Sequence, residues 1–325
     1  MKDKYTVSVI VPAYNAEDYI QQTMDSLVNQ TLKGMEIICI DDGSTDNTGK
    51  ILDLYAEKFP DLVKVVHQEC ISQANAVNRG WKMAHGDYIA ECDADDFASL
   101  MMYEELYMAA TTPRYREKAD VVRCGFFGVW DDGHLQPNPL NAPDDMFCVD
   151  PHVLSPEKMG YIFGKMVLLP AGIYKRSFIE ENNLYWREGG QNYEDTAVSF
   201  KIRMAAHDYR FVNDILYYYR RGNAGSGTDT IKDEFAICEQ YDEIERYCTE
   251  HGYPFMDYMN TRRYYDYMWS LTRTPEERQY AFLTKCMNDF RKHPAKRELF
   301  NTEEDFRNYC AIKYGVWMET GVRIE

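Results

Sequence analysis

Gly86-Asp87-Tyr88-Ile89-Ala90-Glu91-Cys92-Asp93-Ala94-Asp95-Asp96 is the stretch from which the rest of the chain can be read. Its first half has the short apolar run of a buried strand. Its second half is a knot of carboxylates at that strand's C-terminal end. Carboxylates gathered without partners repel one another. A divalent cation removes the repulsion, and hard ions such as Mg2+ and Mn2+ take oxygen ligands. Such an ion commonly holds phosphates as well, so the stretch points to a metal–diphosphate site.

Upstream, Thr6-Val7-Ser8-Val9-Ile10-Val11 is a continuous β-branched run, as expected of a strand buried on both faces. Pro12-Ala13-Tyr14-Asn15 ends it, and Asn15 is placed to cap a helix with Asp18 in capping-box position. Ile20, Met24, Leu27 and Val28 give that helix an apolar face. Met35-Glu36-Ile37-Ile38-Cys39-Ile40 is a second strand, ending in Asp41-Asp42-Gly43-Ser44-Thr45-Asp46. A helix over 47–58, a strand over 63–67 and a helix over 72–84 follow, the last stopped by Gly86. The alternation β-α-β-α-β-α-β predicts an α/β fold with a mainly parallel, doubly wound sheet. Ligands of such sheets sit beyond the C-terminal strand ends. Three polar clusters fall there: residues 12–17, 41–46 and 93–96.

Downstream the pattern loosens. It predicts a helix over 99–110 and a strand over 120–130 closed by the hairpin signal Asp131-Asp132-Gly133. A long loop over 136–156 follows, then a strand at 172–174 and helices over 175–183 and 194–206. Two short strands, 209–212 and 216–220, lead to a basic, glycine-rich loop from Arg220 to Thr228 that contains Gly225 and Gly227. From residue 229 the chain reads as helical, over 231–251, 258–271, 275–292 and 302–312. The cluster Tyr264, Tyr265, Tyr267 and Trp269 reads as packing.

Composition narrows the class. The 325 residues are 45% hydrophobic and 27% charged, ordinary for a globular protein, with a net charge of -17. That acidity argues against general nucleic-acid binding, which wants a basic stripe. No apolar run reaches the roughly 18 residues of a membrane span, and no signal peptide is visible. The nine cysteines are scattered without a C-x-x-C pair, which predicts reduced, cytosolic thiols. His85 and His207 have no partner at metal-ligand spacing in the sequence and read as structural or surface residues.

Val7-Ser8-Val9-Ile10-Val11-Pro12 with Tyr14-Asn15, the turn at 41–46, Asn78-Arg79-Gly80, Gly86-Asp87-Tyr88-Ile89, Asp93-Ala94-Asp95-Asp96, Glu194-Asp195-Thr196 and Tyr217-Tyr218-Tyr219-Arg220-Arg221 stand in one order over residues 5–228. The set resembles glycosyltransferase family 2. The chain departs from the usual pattern at Val77 and over 68–73. The resemblance implies a GT-A fold over residues 1–228, with a Rossmann-like nucleotide-binding part at about 1–98 and an acceptor part at about 99–228. Residues 229–325 then form a helical C-terminal extension.

The resemblance also implies an inverting, metal-dependent transfer of a hexose or N-acetylhexosamine. The donor would be a nucleotide-sugar, UDP-linked by family habit, with Mg2+ or Mn2+. The acceptor would be a saccharide, including a lipid-linked one, in cell-surface polysaccharide or glycolipid synthesis. By the same resemblance Asp95 is the metal ligand, supported by Asp93, which could instead bind the ribose. Asp42 recognises the base, with Pro12, Tyr14 and Glu17 lining the first loop. Asp195, with Glu194 beside it, is the general base. Arg220 and Arg221 close over the diphosphate. Asp96 reads as an N-cap of the next helix. The expected place is the cytoplasm, including the inner face of the membrane. The sequence leaves open whether the extension shapes the acceptor side, forms a homodimer or rests on a membrane. Two rival readings stay open: a nucleotidyltransferase, and a non-catalytic nucleotide-binding scaffold.

Overall fold

The computed structural model describes residues 5–113, 118–143, 146–163, 168–189, 193–222 and 233–316. Gly225 and Gly227 lie outside the described residues. In chain order the elements are β1 (Val7–Ala13), α1 (Ile20–Val28), β2 (Met35–Asp41), α2 (Thr48–Lys58), β3 (Val63–His67), α3 (Gln73–Met83), β4 (Tyr88–Glu91), β5 (Phe97–Ala98), α4 (Met102–Thr111), β6 (Val121–Trp130), β7 (Leu135–Asn138) and β8 (Cys148–Val149). Then come α5 (Pro156–Phe163), β9 (Gly172–Lys175), α6 (Arg176–Glu181), α7 (Glu194–Ala205), β10 (Tyr209–Arg221), α8 (Ala236–Glu250), α9 (Met256–Leu271), α10 (Glu276–Lys292) and α11 (Glu303–Tyr314). Contacts group the chain into two compact units. The first comprises Met1–Leu154, Val167–Gly190 and Ala205–Asp229; the second comprises Ser155–Met166, Gln191–Met204 and Thr230–Glu325.

The first unit is built on one mixed sheet in the order β3-β2-β1-β4-β9-β6-β10-β5, with β7 on β6 and β8 on β10. β3, β2, β1 and β4 are mutually parallel, as are β6 and β10. β9 runs antiparallel between β4 and β6. Every residue of β1 and β2 is buried, because helices cover both faces. Val9, Val11, Ile37 and Cys39 share a core with Met24 and Leu27 of α1. Ile10, on the opposite face of β1, meets α3 at Gly80. A Cβ there would lie 2.5 Å from Ile10 Cγ2, so glycine sets the approach of this helix.

Four local expectations are corrected. Asn15 does not cap α1; it adopts φ 46° and accepts from the Thr45 N–H at 2.8 Å, tying the first loop to the second. Gly86 does not end α3, whose C-cap is Ala84 in extended backbone. It is glycine because a Cβ would lie 2.6 Å from Ser8 N. Residues 209–221 form one strand, with register shifts on either side of Ile215 that absorb the polar Asn213-Asp214 as a bulge. The 136–156 segment is not all loop: it holds parts of β7, β8 and a 3-10 turn at Pro151–Val153.

The second unit packs α5, α7 and the four helices from α8 to α11. Its core is aromatic: Phe163, Phe200, Tyr241, Tyr267, Phe282 and Phe290 are buried and meet ring to ring. Tyr264 and Tyr267 are core residues, whereas Trp269 is half exposed. The sequence draws its boundary at 228/229; by contact, 155–166 and 191–204 group with the C-terminal helices. The nine cysteines are free thiols. Among the described residues no helix is long and apolar enough to cross a membrane.

Candidate active site

The chain runs outward from β1 to β2 to β3, then returns to place β4 on the other side of β1. The C-terminal ends of β1 and β4, beside this reversal, are the usual ligand position in such sheets. The loops there are braced to one another. The Asp42 N–H donates to the Ala13 carbonyl at 2.8 Å. Glu17 is not a free lining group: its carboxylate accepts from the Asn47 N–H and amide at 2.9 and 2.7 Å. Pro12 is buried within β1, and Tyr14 stands 54% exposed at the rim.

Asp42 is buried and held as an acceptor by Gln68 Nε2 at 2.6 Å and the Ile71 N–H at 3.1 Å. Gln68 in turn accepts from Arg79 at 2.9 Å. The segment that departs from the family pattern therefore positions the expected base-recognition carboxylate. Beside it, His67 bridges Asp41 at 2.7 Å and Asp53 at 3.1 Å, and these carboxylates raise its pKa.

The carboxylate turn after β4 is fixed from behind. Thr23 of α1 donates to the Ala94 and Asp96 carbonyls at 2.8 and 2.7 Å. Asp96 is fully buried and is not an N-cap, a further correction. It accepts from the Tyr217 hydroxyl at 2.7 Å and the Arg220 N–H at 2.8 Å. Burial first, then the charges of Asp95 and Asp93, push its pKa well above the usual carboxylate range. The Asp93 N–H donates to the Tyr217 oxygen at 3.3 Å, and its carboxylate accepts from Gln73 at 3.2 Å. Asp93 and Asp95 are partly exposed. The turn thus offers two outward carboxylates above one buried, proton-favouring carboxyl.

Arg220 is committed to this scaffold. Its guanidinium donates to the Asp95 carbonyl at 2.9 Å, Asp131 at 3.1 Å and Gln22 at 2.6 Å, and lies 4.6 Å from the Tyr19 ring centroid. Arg221 stacks on Tyr219 at 4.7 Å, and its buried Nε has no hydrogen-bond acceptor among the described residues.

Glu194 and Asp195 open α7 in the second unit, an acidic first turn that suits the helix dipole. The preceding Tyr193 has φ 60°, unusual for a bulky residue. It is held there by a 2.9 Å hydrogen bond to Ser270 and an edge contact with Trp269, both on α9. Glu194 is buried. Asp195 reaches water, yet protein crowds its carboxyl. That desolvation first, then the charge of Asp266 on α9, push its pKa up to about 6.

Residues 8–153 match the family described as Glycosyl transferase family 2. Glycosyltransferase GlyG of Streptococcus pneumoniae is 31% identical over 248 residues, 74% of this chain and 77% of that protein. The chain belongs to this family. The uncharacterized glycosyltransferase EpsJ of Bacillus subtilis is 30% identical over 220 residues, 66% of this chain; the matched region is 60% of EpsJ. Among solved structures, Staphylococcus aureus TarS 1-349 in complex with UDP-GlcNAc has a TM-score of 0.71 at 20% identity, covering 98% of this chain and 93% of that one. TarS is a poly(ribitol-phosphate) beta-N-acetylglucosaminyltransferase. This likeness establishes the shared GT-A fold.

The sequence did not single out Gln68, Thr23 or Tyr217 as parts of the site. Thr23 is a small polar residue on an otherwise apolar helix face, and that mismatch was its signal. Tyr217 lies in a run of three tyrosines, and only the long-range fold distinguishes it. His207 is exposed at the surface, as read from the sequence, and the fold brings Asp150 and His152 close to it.

Proposed function

We propose that this chain is an inverting, metal-dependent glycosyltransferase. In this reading it moves a hexose or N-acetylhexosamine from a UDP-sugar to a saccharide acceptor of a cell-surface polysaccharide or glycolipid. One observation carries the reading: the Asp93-Ala94-Asp95 turn stands at the end of β4, beside the point where strand order reverses. Its two outward, oxygen-only ligands suit Mg2+ or Mn2+ rather than a softer ion. Asp95, with Asp93 beside it, would hold the ion, which when bound would supply Lewis-acid stabilisation of the diphosphate. Asp42 accepts a hydrogen bond from the base, Tyr14 offers its exposed ring to it, and Arg221 supplies a donor to the phosphates. Asp195 takes the acceptor hydroxyl's proton; a pKa of about 6 leaves it ionised yet still basic near neutral pH. Glu194 opens the same helical turn.

Residues 1–228 carry the transferase chemistry in this reading, with the base-binding loops in 1–98. The extension from 229 holds the general base in place through α9. The reading places the protein in the cytoplasm, at the inner membrane face when the acceptor is lipid-linked. TarS, a relative with UDP-GlcNAc bound in its structure and poly(ribitol-phosphate) in its name, supports the donor and acceptor classes.

The test is calorimetric titration of UDP, GDP and CDP into the protein with and without Mn2+. UDP should bind only with the metal, and Asp95→Ala should abolish that metal-dependent binding. Asp195→Asn should bind UDP normally but lose transfer. Failure of every nucleotide to bind would favour a non-catalytic scaffold.

A further inference from the structure

Away from these loops, the turn after β8 meets the start of β10. Their antiparallel pairing sets Tyr209 opposite Val149 and Arg210 opposite Cys148. Continued by two residues, that register brings His207 opposite Pro151, between Asp150 and His152. The side chains follow: one ligand atom each from Asp150, His152 and His207 lies within 4.8 Å of the others. His207 Nδ1 is 3.3 Å from Asp150 Oδ2, and the two imidazoles stack at 4.4 Å with a tilt of 22°.

The backbone fixes this convergence. Asp150 Oδ1 accepts from the His152 N–H at 2.9 Å and caps the 3-10 turn, which turns Oδ2 toward His207. Asp120 Oδ2 accepts from the N–H groups of His207 and Asp208, both at 3.1 Å. Two imidazole nitrogens and one carboxylate oxygen are the donor set of a borderline divalent ion, not of Mg2+ or Mn2+.

We propose that Asp150, His152 and His207 bind one divalent ion of the zinc class, with water completing the shell. Bonds of roughly 2.0–2.1 Å need ligand atoms about 3.3 Å apart. His207 is exposed and Asp150 and His152 are partly so, which leaves them room to close by side-chain rotation.

The site is structural. Tyr217, ten residues on in sequence, contacts the carboxylate turn; β10 is bulged, with Tyr209 beside Val121 and Tyr217 beside Phe126, so at about 3.3 Å per residue the two sites are on the order of 20 Å apart. The chain leaves the first unit after Leu154 and, after a passage back through Val167–Gly190, finally returns to it at Ala205. An ion here would tie together, inside that unit, one point of departure and one point of return.

The experiment uses the full, tag-free chain stripped with EDTA. Zn2+ is titrated calorimetrically, and Co2+ is followed by its visible absorption. The proposal expects one equivalent of Zn2+, a Co2+ spectrum displaced by Zn2+, and no competition from excess Mg2+. His152→Ala and His207→Ala should each weaken Zn2+ binding at least tenfold and leave UDP binding unchanged. His207→Gln, a conservative change at an exposed side chain, guards against loss of folding, checked by thermal unfolding in EDTA. Absence of Zn2+ binding, or undiminished binding in the double variant His152→Ala/His207→Ala, would overturn the proposal. So would equal binding of Mg2+.

Discussion

Replacing Asp96 by alanine should unfold the protein more readily while leaving both outward carboxylates in the sequence. Two donors lose their acceptor: the buried Tyr217 hydroxyl at 2.7 Å and the Arg220 N–H at 2.8 Å. Orphaning a buried donor costs about 1–3 kcal/mol. The hydroxyl still accepts from the Asp93 N–H, but its own proton keeps only a 4.0 Å contact to Cys92 Sγ, so it belongs at the upper end. The Arg220 N–H is only part-buried and can recruit water. The expected loss is therefore about 3 kcal/mol, read as a lower urea midpoint at constant m-value. Asp96→Asn should cost much less. The side-chain oxygen keeps one donor, and the Tyr217 hydroxyl can turn to accept from the amide. Removing the charge itself is no loss, because burial already disfavours it. A loss below about 1 kcal/mol for Asp96→Ala, or equal losses for the two variants, would refute the buried-acceptor argument.

Two further perturbations follow from the packing and the charges. Gly80→Ala drives a Cβ to 2.5 Å from Ile10 Cγ2; overpacking of about 1–3 kcal/mol should outweigh a helix-propensity gain of about 1 kcal/mol, leaving a measurable drop in urea stability. Asp266→Asn should shift the acidic limb of a transfer-rate profile to lower pH. Asp195 must be ionised to act as a base, and Asp266 raises its pKa, but less than desolvation does. The shift should therefore be about half a pH unit to one unit, and an unmoved limb would show that Asp266 does not tune the base.

What the sequence could reveal was local. β-branched runs separated by helical periods gave β1, β2 and β3, because burial on both faces leaves a composition that needs no partner to recognise. The Asp93–Asp96 cluster was visible because strand and carboxylates adjoin. Their division of labour was not: Asp93 and Asp95 face outward while Asp96 is buried, and that depends on Tyr217, 121 residues from Asp96. Asn15 was misread for the same reason. Its partner Thr45 is 30 residues away, and a left-handed Asn leaves the same local signature as a helix cap. α7 shows a limit of another kind. Its helical period was plain, but its grouping with α8 to α11 rests on aromatic contacts such as Phe200 with Tyr241.

The bracing of the carboxylate turn also bears on how such a protein drifts over generations. Thr23, Tyr217, Arg220 and Asp96 hold the turn's shape, whereas Asp93 and Asp95 stand partly in water above them. Chemistry and foldability are thus assigned to different side chains in one four-residue segment, Asp93 to Asp96. A single nucleotide change at Asp95 could silence the proposed enzyme and leave a stable, expressible protein. A change at Asp96 would deplete the protein itself. Silent copies of this fold should therefore arise readily, and they should carry an intact Asp96 beneath a degraded Asp95.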